Sequence, residues 1–311
     1  MPNKVLDFNR FVMLFEGGAA IKSARRIRED EFPKTLESIK SILFPILGID
    51  PTKANDQYII IGSIGKKKNP DDTSGDLDLG IDSSWFAREH QITVKDVASH
   101  IKGLLDGEKL SDALGFAPEI NYLKGLNIVS IGWPVQGDPN KGMVQLDLIP
   151  ISSMEWAEFI YYSPNYKIDE SKYKSAHRNW LLAAILSETR QILDSDENGD
   201  VMDYDTPVLI LSDGLFWHTK SYKGKLKARL KNAKKIEGSE RFVTRNPHEF
   251  VKFALGREYD INDVKTFEDL LRIIESDDFD LHDRLSAIIE KFKEYLTRAN
   301  LEIPSEINQL S

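Results

Sequence analysis

The sequence contains no cysteine, and that absence removes both a disulfide framework and a thiolate zinc site. Long hydrophobic runs are missing as well. Stretches such as Tyr58-Ile59-Ile60-Ile61 are far short of the roughly 20 residues that a membrane-spanning helix needs. The opening residues, Met1-Pro2-Asn3-Lys4, lack the apolar stretch of a secretory signal, so a cytoplasmic location is expected and a membrane partner is not. The six histidines are scattered without zinc spacing. No Gly-x-x-x-x-Gly-Lys-Ser/Thr loop occurs, and no Ser-His-Asp set is supported by spacing. Basic charge is not in excess either. A net charge of -9 argues against a protein coated for duplex DNA, while leaving nucleotides and RNA open.

What is present is an ordinary globular composition, 41% apolar and 29% charged over 311 residues, enough for one large domain or two modest ones. The first half reads as mixed α/β. Phe32 to Leu47 has apolar residues at helical spacing, and Val94 to Leu105 reads as a second helix. Tyr58 to Ile61 is a buried strand ending at Gly62, and Asp76 to Ile81 alternates acid with apolar at strand period. Asn127 to Val135 and Met143 to Ile151 read as strands joined through the Gly-Asp-Pro-Asn turn of Gln136 to Gly142. The second half is expected to be mainly helical, with helices over Ser171 to Leu193, after the Thr266 N-cap, and over Leu281 to Ala299. Short strands fit Pro207 to Leu211 and Leu215 to Tyr222. A boundary near Ser163-Pro164-Asn165 divides the chain into 1–162 and 163–311.

One constellation carries chemistry. Ile61-Gly62-Ser63-Ile64-Gly65-Lys66 is followed, after a twelve-residue spacer, by Asp76-Leu77-Asp78-Leu79, and later by Leu146-Asp147-Leu148. Acids at i and i+2 on a strand share a face, so Asp76 and Asp78 point together while Leu77 and Leu79 turn to the core. Asp147 on a neighbouring strand would bring a third carboxylate. Three carboxylates at close range resist ionisation, and divalent cations relieve that repulsion. A glycine at a strand end lets backbone N–H groups approach phosphate, and the Ser63 hydroxyl can donate to it. Lys66, with Lys67 and Lys68, would offset triphosphate charge; a solvated loop explains these lysines equally well.

This ordered set resembles the DNA polymerase β-like nucleotidyltransferase superfamily, whose pattern is an apolar residue and Gly-Ser, a spacer of roughly ten residues, Asp-apolar-Asp-apolar, and a later apolar-Asp-apolar. The resemblance covers about Tyr58 to Ile151. It implies an α/β (α+β) mixed-sheet core flanked by helices, transfer of a nucleoside monophosphate from an NTP, and release of pyrophosphate. Two Mg²⁺ or Mn²⁺ ions would be held by Asp76, Asp78 and Asp147, with the phosphates at Gly62 and Ser63. In related enzymes a second-domain helix adds basic residues to the triphosphate, and Arg178, one turn from Lys174, is the candidate here. Surface salt bridging is the rival role for Arg178.

Two further features compete with plainer readings. Asp194 to Asp205 follows the spacing of an EF-hand calcium loop, yet it ends in Asp rather than Glu and runs into Thr206-Pro207 instead of a helix. These departures weigh toward an acidic surface loop. Gly214 to Arg245 holds ten Lys/Arg against two acids, and Lys220 to Lys235 lies beside Phe216, Trp217 and Tyr222. This combination suits an RNA acceptor, or else a solvated helix face. RNA 3′ ends are therefore the slightly favoured acceptor, with nucleotides, proteins and small molecules as alternatives. A non-catalytic nucleic-acid- or calcium-binding protein is the reading from another class. Glu16-Gly17-Gly18 reads as a connecting turn.

Overall fold

The computed structural model describes residues 20–67, 69–164, 170–189, 191–195, 201–210, 212–221 and 240–310. Backbone contacts divide the chain into two compact units that meet at Lys172 and Tyr173.

The first unit is a mixed five-stranded sheet in the order β2-β4-β7-β6-β5. Its strands are β2 (Tyr58–Ile61), β4 (Asp76–Asp82), β7 (Met143–Ile151), β6 (Ile128–Pro134) and β5 (Ile120–Leu123). A separate two-stranded ladder pairs β1 (Ile27–Arg28) with β3 (Thr73–Ser74). Strands β4 and β7 run parallel, and the other pairs of the main sheet are antiparallel. The expected hairpin is β6–β7, closed through Gln136, Gly137 and Gly142, all at positive φ.

One face of the sheet is wholly apolar. Leu77, Leu79, Ile81, Val129, Ile131, Trp133, Val144, Leu146 and Leu148 pack under the helical residues Ile39, Leu43, Phe44, Phe86, Ile101 and Leu110. These belong to a helical run of α1 (Phe32–Ser38), a π turn (Ile39–Leu43) and α2 (Phe44–Leu47), and to α3 (Ser83–Glu89), α4 (Val97–Leu105) and α5 (Glu108–Leu114). Pro45 cannot donate to residue 41, and the ladder there widens, with Phe44 N–H reaching Ile39 O. The opposite face is divided. Ile59, Ile61, Ile149 and Ile151 form an apolar half covered by Ala157 of α6 (Met154–Ile160). The other half is polar, and it holds the acids.

The second unit carries the expected helices and more sheet than the two short strands expected. It contains a four-stranded antiparallel sheet, β11-β10-β9-β8, built from β8 (Gln191–Ser195), β9 (Val201–Ile210), β10 (Gly214–Ser221) and β11 (Glu240–Thr244). The physical reason is legible afterwards: β-branched and aromatic residues crowd Thr206 to Trp217 around a Gly214 turn. Pro207 is tolerated within β9 because β8 pairs with that strand only as far as Asp205. The long helix expected over Ser171 to Leu193 is shorter, α7 (Ser175–Ser187), because Gln191 onward joins the sheet. The remaining helices are α8 (Pro247–Leu255), α9 (Phe267–Ile274) and α10 (Leu285–Arg298). Thr266 caps α9 as expected, accepting from Asp269 N while Asp269 accepts from Thr266 N. Among the described residues no helix is long and apolar enough to cross a membrane.

Candidate metal centre

Parallel pairing of β4 with β7 sets Asp76 beside Gln145 and Asp78 beside Asp147. Antiparallel pairing then sets Ser130 of β6 opposite Asp147. Strand alternation puts all five side chains on the divided face, next to its apolar half. Each of Asp76, Asp78 and Asp147 offers a carboxylate oxygen, and these three atoms lie within 4.8 Å of one another. The expected convergence of the three acids is therefore present, and β4–β7 adjacency produces it.

The β7 and β6 side of the group is buried, while Asp76 and Asp78 are half-buried. Asp147 is 8% exposed, Gln145 3% and Ser130 0%. Burial first, then the charges of Asp76 and Asp147, push the Asp78 carboxyl well above its usual range, and Lys66 pulls the other way. Burial also raises Asp147, against the hydroxyl of Ser130 and the amide of Gln145. Gln145 holds Asp147 in place: its Nε2 donates to both carboxylate oxygens at 3.0 and 2.9 Å. Its Oε1 is itself fixed, accepting from Ala20 N at 3.0 Å and Ile21 N at 3.1 Å.

Gly62 sits against this group. Its φ is +79°, and a Cβ there would come within 2.5 Å of Asp78 Oδ2. Only glycine combines that backbone with that contact. Ser63 Oγ lies 3.0 Å from Ser74 Oγ, and Lys67 Nζ donates to Ser74 Oγ at 3.0 Å and to Thr73 O at 2.6 Å. Glu29 accepts from Lys67 N at 3.3 Å, tying the loop back to the first helical turn. Lys66 turns away from this network. Its ammonium lies 5.4 Å from the Tyr162 ring centre, and burial lowers its pKa against Glu158, Glu170 and Asp78. Lys68 lies outside the described residues, as does the Glu16-Gly17-Gly18 turn.

The donor set suits a hard divalent cation: three carboxylates at short range, one buried and two half-buried, with hydroxyl and amide dipoles around them. Two observations on this chain support the fit. Asp78 carries an uncompensated excess of negative neighbours, which a cation would neutralise. At Gly62 a side chain would fill the space beside Asp78, a Cβ coming within 2.5 Å of its Oδ2.

Comparison with protein-family models, curated proteins and solved structures finds no match. The geometry of the site therefore carries the functional argument.

The other predicted site residues fall elsewhere. Arg178 is 1% exposed within the second unit, where its Nε donates to Val264 O at 2.7 Å. That burial sets aside the surface ion pair weighed for it. The EF-hand spacing runs over two antiparallel strands, β8 and β9, and not between two helices. Asp194 and Asp205 lie on adjacent strands, with Asp205 opposite Gln191 and Asp194 opposite Asp203. Asp205 is also engaged, accepting from Thr219 Oγ1 at 2.6 Å and from Arg241 Nη2 at 3.3 Å. Residues 196–200 of that loop, and Tyr222 to Lys235 of the basic stretch, lie outside the described residues.

Gln145, Ser130, Ser74 and Glu29 escaped sequence reasoning. Gln145 had a signal, since it stands two residues before Asp147 on the same strand. Ser130 had none before the β6–β7 register was known.

Proposed function

We propose that the first unit is a metal-dependent nucleotidyltransferase, moving a nucleoside monophosphate from an NTP to an acceptor hydroxyl with release of pyrophosphate. The observation that carries this reading is the set of three carboxylate oxygens within 4.8 Å, with the Gly62-Ser63 turn pressed against one of them. Asp76 and Asp78 would hold two Mg²⁺ or Mn²⁺ ions, and Asp147 would share the one nearest the acceptor. Such ions, when bound, supply charge neutralisation and lower the pKa of a nearby hydroxyl.

The chain's own groups do the rest. Backbone N–H groups of the Gly62-Ser63 turn and the Ser63 hydroxyl bind the β- and γ-phosphates. Gln145 keeps Asp147 in one orientation, so the acceptor oxygen approaches the α-phosphorus in line. A new acceptor O–P bond forms as the bond to the bridging oxygen breaks, and pyrophosphate leaves with that electron pair. The acceptor proton passes to a carboxylate oxygen of Asp147, which Gln145 holds in one orientation. The RNA 3′ end remains the first acceptor to try, on the charge of Lys220 to Lys235.

The test is incubation with each α-labelled NTP, Mg²⁺ or Mn²⁺, and total RNA, protein, nucleosides or no acceptor. Label transfer with stoichiometric pyrophosphate, lost in Asp76→Ala/Asp78→Ala with the fold retained, is the expected outcome. Neither transfer nor NTP binding under any of these conditions would sink the reading.

A further inference from the structure

A second feature of the first unit lies on the outer edge of β2. A cavity of about 390 Å³ opens there, and Tyr161, Tyr162, Lys40, Lys66, Glu158 and Ile60 are among its lining residues. Its size falls in the range of small-molecule pockets. Among the described residues β2 is an edge strand of its sheet, with β4 as its one neighbouring strand.

The ladder tells which backbone groups face the cavity. Asp82 N donates to Gln57 O, so Gln57, Ile59 and Ile61 direct their peptide groups toward β4. Tyr58 and Ile60 therefore direct theirs outward. Tyr58 O is taken by Asn55 N at 2.8 Å. At the other end, Gly62 forms a single bridge with Tyr162, as Ala54 does with Tyr58. Between these two closures lies one residue, Ile60, with its N–H and C=O both turned outward and no hydrogen-bond partner among the described residues.

This arrangement selects its occupant. An extended peptide adding to the edge would need several consecutive outward groups, and the bridges at Tyr58 and Gly62 close the strand on both sides within about 13 Å. A small planar ring bearing a donor beside an acceptor needs only the one pair that Ile60 offers. Aromatic lining residues favour such a ring by stacking. The carboxylate of Glu158 can accept from ribose hydroxyls or an exocyclic amine. A phosphate is disfavoured near Lys66, because the carboxylates of Glu158 and Glu170 already act on that ammonium.

We propose that this pocket binds a nucleobase as its nucleoside, with the base edge read by the Ile60 peptide group and its face on Tyr162. Lys66 lines the pocket and its charge is felt at Asp78, so the pocket lies within electrostatic reach of the carboxylate group. The claim concerns binding and does not require the carboxylates to be catalytic.

The test is calorimetric titration of the full chain, in EDTA, with adenosine, guanosine, cytidine and uridine, and with ribose 5-phosphate and a tetrapeptide of valines as probes of the rival chemistries. At least one nucleoside should bind, and the two rival probes should not. Ile60→Pro removes the outward N–H at an edge position that tolerates proline, and should weaken binding at least tenfold. Tyr162→Ala, which leaves the strand backbone alone, should do the same, with circular dichroism confirming both folds. Asp76→Ala/Asp78→Ala should bind the nucleoside like the parent, which separates this claim from the transferase reading. The proposal is overturned if no nucleoside binds, if ribose 5-phosphate or the peptide binds instead, or if binding survives both pocket substitutions.

Discussion

Replacing Asp78 by asparagine should make the metal-free protein more stable, and the geometry gives the size of the effect. The Asp78 oxygen lies within 4.8 Å of oxygens on Asp76 and Asp147. At an effective dielectric of about 20, each such pair of charges repels by at least ~3.5 kcal/mol. Asp78 escapes most of this by holding its proton, which is why its pKa stands well above the ordinary range, with burial as the first cause. The sign follows from proton linkage. Between the ordinary and the raised pKa the folded state binds more protons than the unfolded state, so stability falls as pH rises through that window. Asparagine keeps the shape, including the contact with Gly62, and removes the charge. At pH 8 in EDTA the gain should be about 2 kcal/mol, toward the upper end of single stabilising changes, or roughly 6 °C in Tm for a unit of this size. Mg²⁺ or Mn²⁺ at 100 times its Kd should stabilise the parent by about 2.7 kcal/mol and the variant by much less. Thermal melting from pH 5 to 9, with and without metal, reads all of this. A variant that is less stable than the parent in EDTA, with an equal response to metal, would refute the account of the carboxylates as mutually repelling ligands.

Three other outcomes follow from the same structure. Gly62→Ala places a Cβ 2.5 Å from Asp78 Oδ2 at a φ of +79°; it should cost about 1–2 kcal/mol in denaturant unfolding and reduce nucleotidyl transfer more than Ser63→Ala does. Gln145→Leu removes the amide that fixes both oxygens of Asp147 and should lower kcat at least tenfold, with KM for the NTP little changed if the phosphates are held by Gly62 and Ser63. Glu31 is held below the usual carboxylate range, chiefly by the Arg25 guanidinium, which donates to it at 2.7 and 3.0 Å. Its contribution is present above the ordinary glutamate pKa of about 4.5 and is lost as pH falls through the lowered value, so Glu31→Gln should flatten the acid limb of the stability curve, as read by urea titrations from pH 3 to 6.

The candidate site was more legible in the sequence than the second unit was. Asp76 and Asp78 declared a shared face through strand period, and Leu77 and Leu79 declared the core beneath them, because a half-buried strand writes its geometry into alternation. Asp147 could be placed on a strand, but its neighbour could not, since parallel pairing joins segments about 70 residues apart with no local signal. Gly62 was chosen for its approach to phosphate; the structure adds the contact with Asp78 that excludes any side chain. In the second unit, Gln191 to Ser195 continued an apolar helical pattern into what is a strand, because short apolar runs serve either period. The calcium-loop spacing of Asp194 to Asp205 was a pattern without its flanking helices. Arg178 looked like a surface cation because nothing in a sequence marks a guanidinium that will be enclosed beside a carbonyl such as that of Val264.

The most direct measurement of the central claim is a crystal structure with Mn²⁺ and a non-hydrolysable NTP, read by anomalous scattering. Manganese peaks should lie within about 2.2 Å of carboxylate oxygens on Asp76, Asp78 and Asp147, with the β- and γ-phosphates against Gly62 and Ser63. Manganese and nucleotide bound elsewhere, with the three carboxylates holding neither, would contradict the account.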